Sequence, residues 1–127
     1  MSSNPLAPLA IEAQSIDAIA SAAIFITRPG SDELELGAAA GIDGQALAGL
    51  EAAVRDPSHP VARALHDSSP TYDVKPMNPG GPALRSHLPL DGLGVLAVSH
   101  DRPLTADARV RLEAVADSAM SALRGDR

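Results

Sequence analysis

Residues 84–100, with the sequence LRSHLPLDGLGVLAVSH, contain the side chains best suited to bind a ligand. Arg85 and His87 are two positions apart, so on a β-strand both point to the same face of the sheet. A guanidinium there can hold a carboxylate or phosphate with two parallel hydrogen bonds, and an imidazole can donate another or respond to pH. The alternative is structural, with the arginine paired to Asp73 or a glutamate and the histidine covered by a loop.

The element that positions these side chains is a predicted β-hairpin. Asp91-Gly92 separates two apolar runs and suits a type I′ turn, in which both central residues have positive φ. A two-residue loop places Leu90 opposite Leu93, and alternation along the strands then gives an aliphatic face and a mixed face. The aliphatic face is predicted to hold Leu84, Ser86, Leu88, Leu90, Leu93, Val95 and Ala97, and the mixed face Arg85, His87, Pro89, Gly94, Leu96, Val98 and His100.

Three further residues are candidates for the same ligand site. Tyr72 and Asp73 begin a short strand that we expect to border the pocket, and Met77 lies on the loop that follows. A tyrosine hydroxyl at a pocket rim is a reasonable ligand contact, although Tyr72 can equally cover the edge of the core. Residues 79–82, PGGP, can present backbone amides to an anion or simply connect two strands.

We expect no catalytic residues and no metal site. Ser86 and His87 are neighbours on a strand and point to opposite faces, so they cannot act as nucleophile and base toward each other. The four histidines form none of the short metal-binding motifs, and the chain has no cysteine. No cofactor is therefore predicted, and haem ligation by a histidine is the alternative left open.

The composition indicates an aliphatic core and an acidic surface. Of the 127 residues, 45% are hydrophobic, and Phe25 and Tyr72 are the only aromatic ones, so aliphatic side chains must supply the buried surface. The net charge of −6, with Lys and Arg scattered along the chain, argues against nucleic acid or an anionic membrane as a partner. Because no apolar run approaches the ~20 residues of a membrane span and no signal peptide is found, a cytoplasmic location is expected.

Hydrophobic periodicity predicts one α+β domain over residues 1–127, in the order helix, two strands, two helices, three strands, helix. Apolar stripes run from Leu6 to Ala20 and from Leu112 to Leu123. We expect both terminal helices to cover one face of a five-stranded antiparallel sheet, with the middle helices and the Pro/Gly loop over the other. The stripes can also pair across a two-fold axis in a homodimer, but covering the sheet would explain them equally well.

Four segments carry a resemblance to a known family: AAIFI at 22–26, LELGAAAG at 34–41, LRSHLPL at 84–90, and GVLAV at 94–98 with the last helix after it. In this combination the chain resembles the GAF family of small sensory domains, relatives of PAS domains, over about residues 13–123. The resemblance implies an antiparallel sheet of order 2-1-5-4-3. It also implies terminal helices on one face, often used for dimer contacts, and a small-molecule pocket on the other face.

The sequence departs from several branches of that family. Bilin attachment and cysteine-dependent methionine sulfoxide reduction both need a thiol, and the Asn-Lys-Phe-Asp-Glu signature of the cyclic-nucleotide branch is missing. We expect a non-catalytic sensory or regulatory domain that binds a small ligand, an anion being the leading candidate, beside Arg85, His87 and Tyr72. Terminal-helix packing or a separate signalling protein would transmit the signal. The alternative is an interaction or dimerisation module with a closed pocket and no ligand.

Overall fold

The computed structural model describes residues 4–28, 30–31, 33–75 and 84–125, which form five strands and four helices. In chain order these are α1 (Ala7–Gln14), β1 (Ile19–Thr27), β2 (Leu34–Ala40), α2 (Gly44–Ala53), α3 (Pro60–Ala64), β3 (Thr71–Val74), β4 (Leu84–Pro89), β5 (Gly94–His100) and α4 (Ala106–Gly125). The order and type of these elements confirm the α+β prediction. The sheet has the order β2-β1-β5-β4-β3, and its neighbouring strands are antiparallel.

The first helix is shorter than its apolar stripe predicts. It ends at Gln14, and a turn in which Ala18 has a φ of 76° leads directly into β1. Ile16 is still buried in the core, but Ala20 lies on β1 and is exposed. The predicted stripe therefore combines a helical face with the first residues of a strand.

The helices divide between the two faces of the sheet as predicted. The terminal helices α1 and α4 cover one face, and α2 and α3 cover the other. The core under the terminal helices includes Ala10, Ala13, Ile24, Leu88, Leu90, Leu96, Leu112, Val115 and Ala119. The smaller core on the opposite face includes Ala23, Phe25, Leu34, Val54, Val61, Ala64, Leu65 and Val95.

The hairpin turn forms as predicted, but the strand pairing beyond it is shifted by one residue. Asp91 and Gly92 have φ angles of 55° and 77°, as a type I′ turn requires. The Leu93 amide donates to the Leu90 carbonyl at 3.0 Å, whereas the Leu90 amide donates to the Gly94 carbonyl at 2.9 Å. Leu90 thus faces two residues of the other strand, which defines a β-bulge.

This bulge exchanges the two predicted faces of β5. Leu88 lies opposite Leu96 rather than Val95, and Leu96 packs beneath the terminal helices. Val98 joins it there, while Val95 and Ala97 pack on the side of α2 and α3. His100, predicted to share a face with Arg85 and His87, lies instead on the terminal-helix side, hydrogen-bonded to Ser86.

Candidate functional site

A cavity of about 280 Å³ lies between the sheet and the segment that contains α2 and α3. Ile42, Leu50 and Val61 line it from that segment. Its floor is the sheet, where Ala23 and Ala97 leave space that larger side chains would fill. The cavity is therefore a consequence of small residues on the strands facing aliphatic residues on the covering helices.

Strand pairing arranges the floor of the cavity in two rows. The first row runs from β4 to β1 through Arg85, Ser99 and Ser21, and the second runs through His87, Ala97 and Ala23. The hydroxyl groups of Ser21 and Ser99 hydrogen-bond to each other. One of these hydroxyls donates to the other, and Arg85 and His87 lie in the same two rows of the floor, where they can also interact with a ligand.

Arg85 is half-buried at the cavity wall, and no carboxylate of the described residues forms an ion pair with it. Asp73, the partner expected in the structural alternative, pairs with Arg109 instead, with Oδ2 and Nη2 2.7 Å apart. The positive charge of Arg85 contributes to lowering the pKa of two nearby imidazoles, those of His59 and His87. The guanidinium is thus placed to bind an anion in the cavity.

His87 lies beside Arg85 and is only 4% exposed. No hydrogen bond joins its imidazole to any residue that the structure describes. Burial lowers its pKa to about 4, assisted by the charges of Arg85 and His59 and opposed by Asp67. The ring is therefore neutral at pH 7, with one N–H donor and one acceptor nitrogen available to the cavity.

Sequence reasoning missed one residue of the cavity lining, Asp43, and one histidine close to Arg85, His59. Asp43 lines the cavity as the N-cap of α2, where Oδ1 accepts a hydrogen bond from the Ala46 amide at 2.8 Å. His59 begins α3, its Nδ1 accepting from the Val61 amide at 3.2 Å, and burial together with Arg85 lowers its pKa. Cap residues are recognisable in the sequence, but their distance from β4 depends on how α2 and α3 dock.

Tyr72 does not line the cavity, which corrects its predicted position. Its hydroxyl donates to Glu113 Oε2 at 2.6 Å, and the Arg109 guanidinium carbon lies 4.5 Å from the ring centroid. Burial and the neighbouring Glu113 carboxylate raise the pKa of Tyr72, so the phenol stays protonated and acts as donor. Tyr72 therefore covers the sheet edge against α4, the alternative that the sequence left open.

Asp73 also lies against α4 rather than at the cavity. It has a φ of 57°, so β3 does not continue its alternation through this residue. The carboxylate accepts from the Leu104 amide at 3.0 Å and from Arg109 at 2.7 Å, while the Asp73 amide donates to Ser86 Oγ at 3.1 Å. Burial acts to raise the pKa of Asp73, but the hydrogen bonds from Leu104 and Arg109 lower it below its ordinary value.

His100 takes part in a buried structural network, not in the ligand site. Its Nδ1 lies 2.8 Å from the Arg102 carbonyl, so this nitrogen carries the proton and donates. Nε2 then accepts from the Ser86 hydroxyl at 2.9 Å, and Ser86 Oγ accepts from the Asp73 amide. Ser86 and His100 are both 0% exposed, and this arrangement satisfies the buried hydroxyl and imidazole groups.

Met77 and the PGGP loop lie outside the described residues. Within residues 4–28, 30–31, 33–75 and 84–125, no group of three or more metal-ligating side chains comes together. No helix in the same part of the chain has the length and apolarity to cross a membrane.

The fold is that of GAF domains. The second GAF domain of DevS from Mycobacterium smegmatis matches with a TM-score of 0.73 and 21% identity over 94% of this chain and 91% of that one. The GAF domain of an Acinetobacter phosphoenolpyruvate-protein phosphotransferase matches with a TM-score of 0.72 and 12% identity over 98% and 84%. No protein-family model matches the sequence, and none of the curated proteins does. The resemblance seen in the sequence is confirmed at the level of the fold.

Proposed function

We propose that this chain is a non-catalytic sensory or regulatory domain of the cytoplasm whose cavity binds a small ligand through an anionic group. The observation that carries the proposal is the pair formed by Arg85 and His87. Among the described residues, the guanidinium has no carboxylate partner and the buried imidazole has no hydrogen bond, yet both line one cavity. An anionic ligand in the cavity could accept hydrogen bonds from the guanidinium and from the imidazole N–H together.

The same strand offers a route from the ligand to the terminal helices. Arg85 and His87 face the cavity, and Ser86 between them faces the other side, where it accepts from the Asp73 amide. The Asp73 carboxylate in turn holds the Leu104 amide, just before α4. We propose that a ligand on one face of β4 changes how α4 packs on the other, and that a homodimer contact through the terminal helices or a separate signalling protein reads the change.

The test is thermal unfolding of the protein in the presence of small carboxylates, phosphates and nucleotides. One class should raise the melting temperature by several degrees, since a ligand at 100 times its Kd adds about 2.7 kcal/mol to stability. Arg85→Ala should abolish the rise. Arg111→Ala is the matched control, because Arg111 is an exposed arginine on α4 and its loss changes the net charge equally.

Two results contradict this proposal. The first is a panel in which no class stabilises the wild-type protein. The second is a loss of stabilisation as large in Arg111→Ala as in Arg85→Ala, which would indicate a general charge effect.

One observation favours the alternative, a dimerisation or interaction module. Ile11 on α1 is 60% exposed and Val110 on α4 is 65% exposed, and large apolar side chains on a surface often mark an interface. That alternative also expects a closed pocket. The structure instead has a cavity of about 280 Å³ on the other face of the sheet. Both functions can therefore coexist in one protein.

Under this alternative, Val110→Lys should convert a dimer to a monomer, because the ammonium group would have to be buried in the interface. Native mass spectrometry or light scattering measures the change. Ala48→Lys, on the exposed side of α2, is the control and should leave the dimer intact. A wild-type protein that is monomeric at high concentration would contradict the alternative.

A further inference from the structure

Resting on the proposed function and making it more specific, we propose that the cavity selects a short aliphatic monocarboxylate. Its carboxylate would bind Arg85 and His87, and its chain would lie against Ile42, Leu50 and Val61. Three properties of the described lining lead to this class of ligand: its charge, its lack of phenylalanine, tyrosine and tryptophan rings, and its volume.

The charge of the lining favours one negative charge over two. Arg85 is the permanent cation among the described residues of the lining, and Asp43 places a carboxylate at the same cavity. His87 is neutral at pH 7, with a pKa of about 4, so it offers a hydrogen bond but no charge. A carboxylate matches a single guanidinium with two parallel hydrogen bonds. A dianionic phosphate would bring a second charge that Asp43 repels and that no further cation of the described lining balances.

The cavity walls favour a ligand with an aliphatic chain over a ligand with an aromatic ring. Phe25 is fully buried in the core beneath α2 and α3, and Tyr72 lies at the sheet edge against α4, so neither provides a stacking surface in the cavity. Bases and other aromatic ligands gain much of their affinity from such stacking. Ile42, Leu50 and Val61 instead offer branched aliphatic surfaces, which suit methylene groups.

The volume limits the length of the chain. At ~30 Å³ for each water-sized group, a cavity of about 280 Å³ holds about nine non-hydrogen atoms. Two of these are the carboxylate oxygens, which leaves about seven carbons. Packing that is less than complete lowers the number further, so the best fit is expected for chains of about five to seven carbons.

Calorimetric titration of the full chain with butanoate, hexanoate, octanoate and decanoate tests this inference. Affinity should rise about fourfold for each methylene group (~0.8 kcal/mol), or about 16-fold from butanoate to hexanoate, and should fall at decanoate. Hexanamide, which has the same chain without the charge, should bind at least tenfold more weakly than hexanoate. Inorganic phosphate and adenosine monophosphate should not compete.

Two variants distinguish the part of the site that binds the carboxylate from the part that holds the aliphatic chain. Arg85→Lys keeps the positive charge but cannot form the two parallel hydrogen bonds, so hexanoate should bind at least tenfold more weakly. Ala97→Leu fills the floor and should shift the preference toward shorter chains or abolish binding, with Arg85 unchanged. Cooperative thermal unfolding of each variant shows that it is folded, and Arg111→Ala should bind hexanoate as the wild type does.

Equal binding of hexanoate and hexanamide, or an affinity that does not depend on chain length, would overturn the inference. If phosphate or a nucleotide stabilises the protein through Arg85 and the carboxylates do not, the proposed function stands and the carboxylate class is wrong. If no anion of either panel binds, both the function and the ligand class are wrong.

Discussion

Lowering the pH from 7 to 4 is expected to cost the folded protein about 3 kcal/mol through His87 alone. The pKa of His87 is about 4 in the folded state, compared with an ordinary value of 6.5. Each unit of difference corresponds to about 1.4 kcal/mol. Below pH 6.5 the unfolded chain binds a proton at this imidazole and the folded protein does not, so unfolding takes up protons and becomes easier as the pH falls. This loss of stability is small above pH 6.5 and grows as the pH falls towards 4.

Several charged groups surround this imidazole and modify its effect. Arg85 on the same strand and His59 before α3 lower its pKa, whereas Asp67 after α3 raises it. His59 has a lowered pKa of its own and therefore adds to the acid destabilisation in the same direction. Asp73 also has a lowered pKa. The stability that its ionised carboxylate contributes is lost at a lower pH, where the carboxylate becomes protonated.

The measurement is the free energy of unfolding from urea titrations at pH 7, 6, 5 and 4.5, in wild type and His87→Gln. The glutamine is polar and does not titrate, so the variant should lose clearly less stability than wild type over this range. His59→Gln is the comparison for the second imidazole and should leave the His87 contribution in place. If wild type and His87→Gln lose the same stability, the buried and neutral state of this ring is wrong.

Local patterns are sufficient to predict the order and type of the elements, because each depends on residues close together in the chain. The terminal helices follow from apolar stripes, and the hairpin turn follows from Asp91-Gly92, whose positive φ angles the structure shows. The same alternation correctly places Arg85 and His87 on one face of β4, at the cavity. These two residues are the part of the candidate site that the sequence alone could identify.

The rest of the site depends on contacts between distant parts of the chain. Tyr72 and Asp73 lie away from the cavity because residues of α4 bind them, notably Arg109, and because the positive φ of Asp73 interrupts the strand. Asp43 lines the cavity, and His59 lies near Arg85 and His87, only because α2 and α3 fold over the sheet. Alternation within a strand contains no information on any of these contacts.

The bulge next to Gly94 is the clearest example of such a distant constraint. An alanine Cβ at Gly94 would overlap the Phe25 carbonyl oxygen on β1 and would lie 3.2 Å from the Ile26 Cα. Leu93, the additional residue before it, accepts a hydrogen bond from the Thr27 amide at 3.1 Å. The close approach of β1 therefore requires a glycine at this point of β5. A hairpin considered without β1 offers no reason to shift its register.

Gly94→Ala is accordingly expected to destabilise the protein by about 3 kcal/mol or more, because two backbones would have to separate in the centre of the sheet. Gly49→Ala is the matched control. It makes the same chemical change in α2, where an added Cβ meets nothing within 4 Å, and should stabilise the protein by up to ~1 kcal/mol. Urea unfolding of both variants measures the difference. A Gly94→Ala protein within ~1 kcal/mol of wild type would mean that β1 and β5 do not approach this closely, and the two rows of the cavity floor, which depend on that pairing, would have to be reassigned.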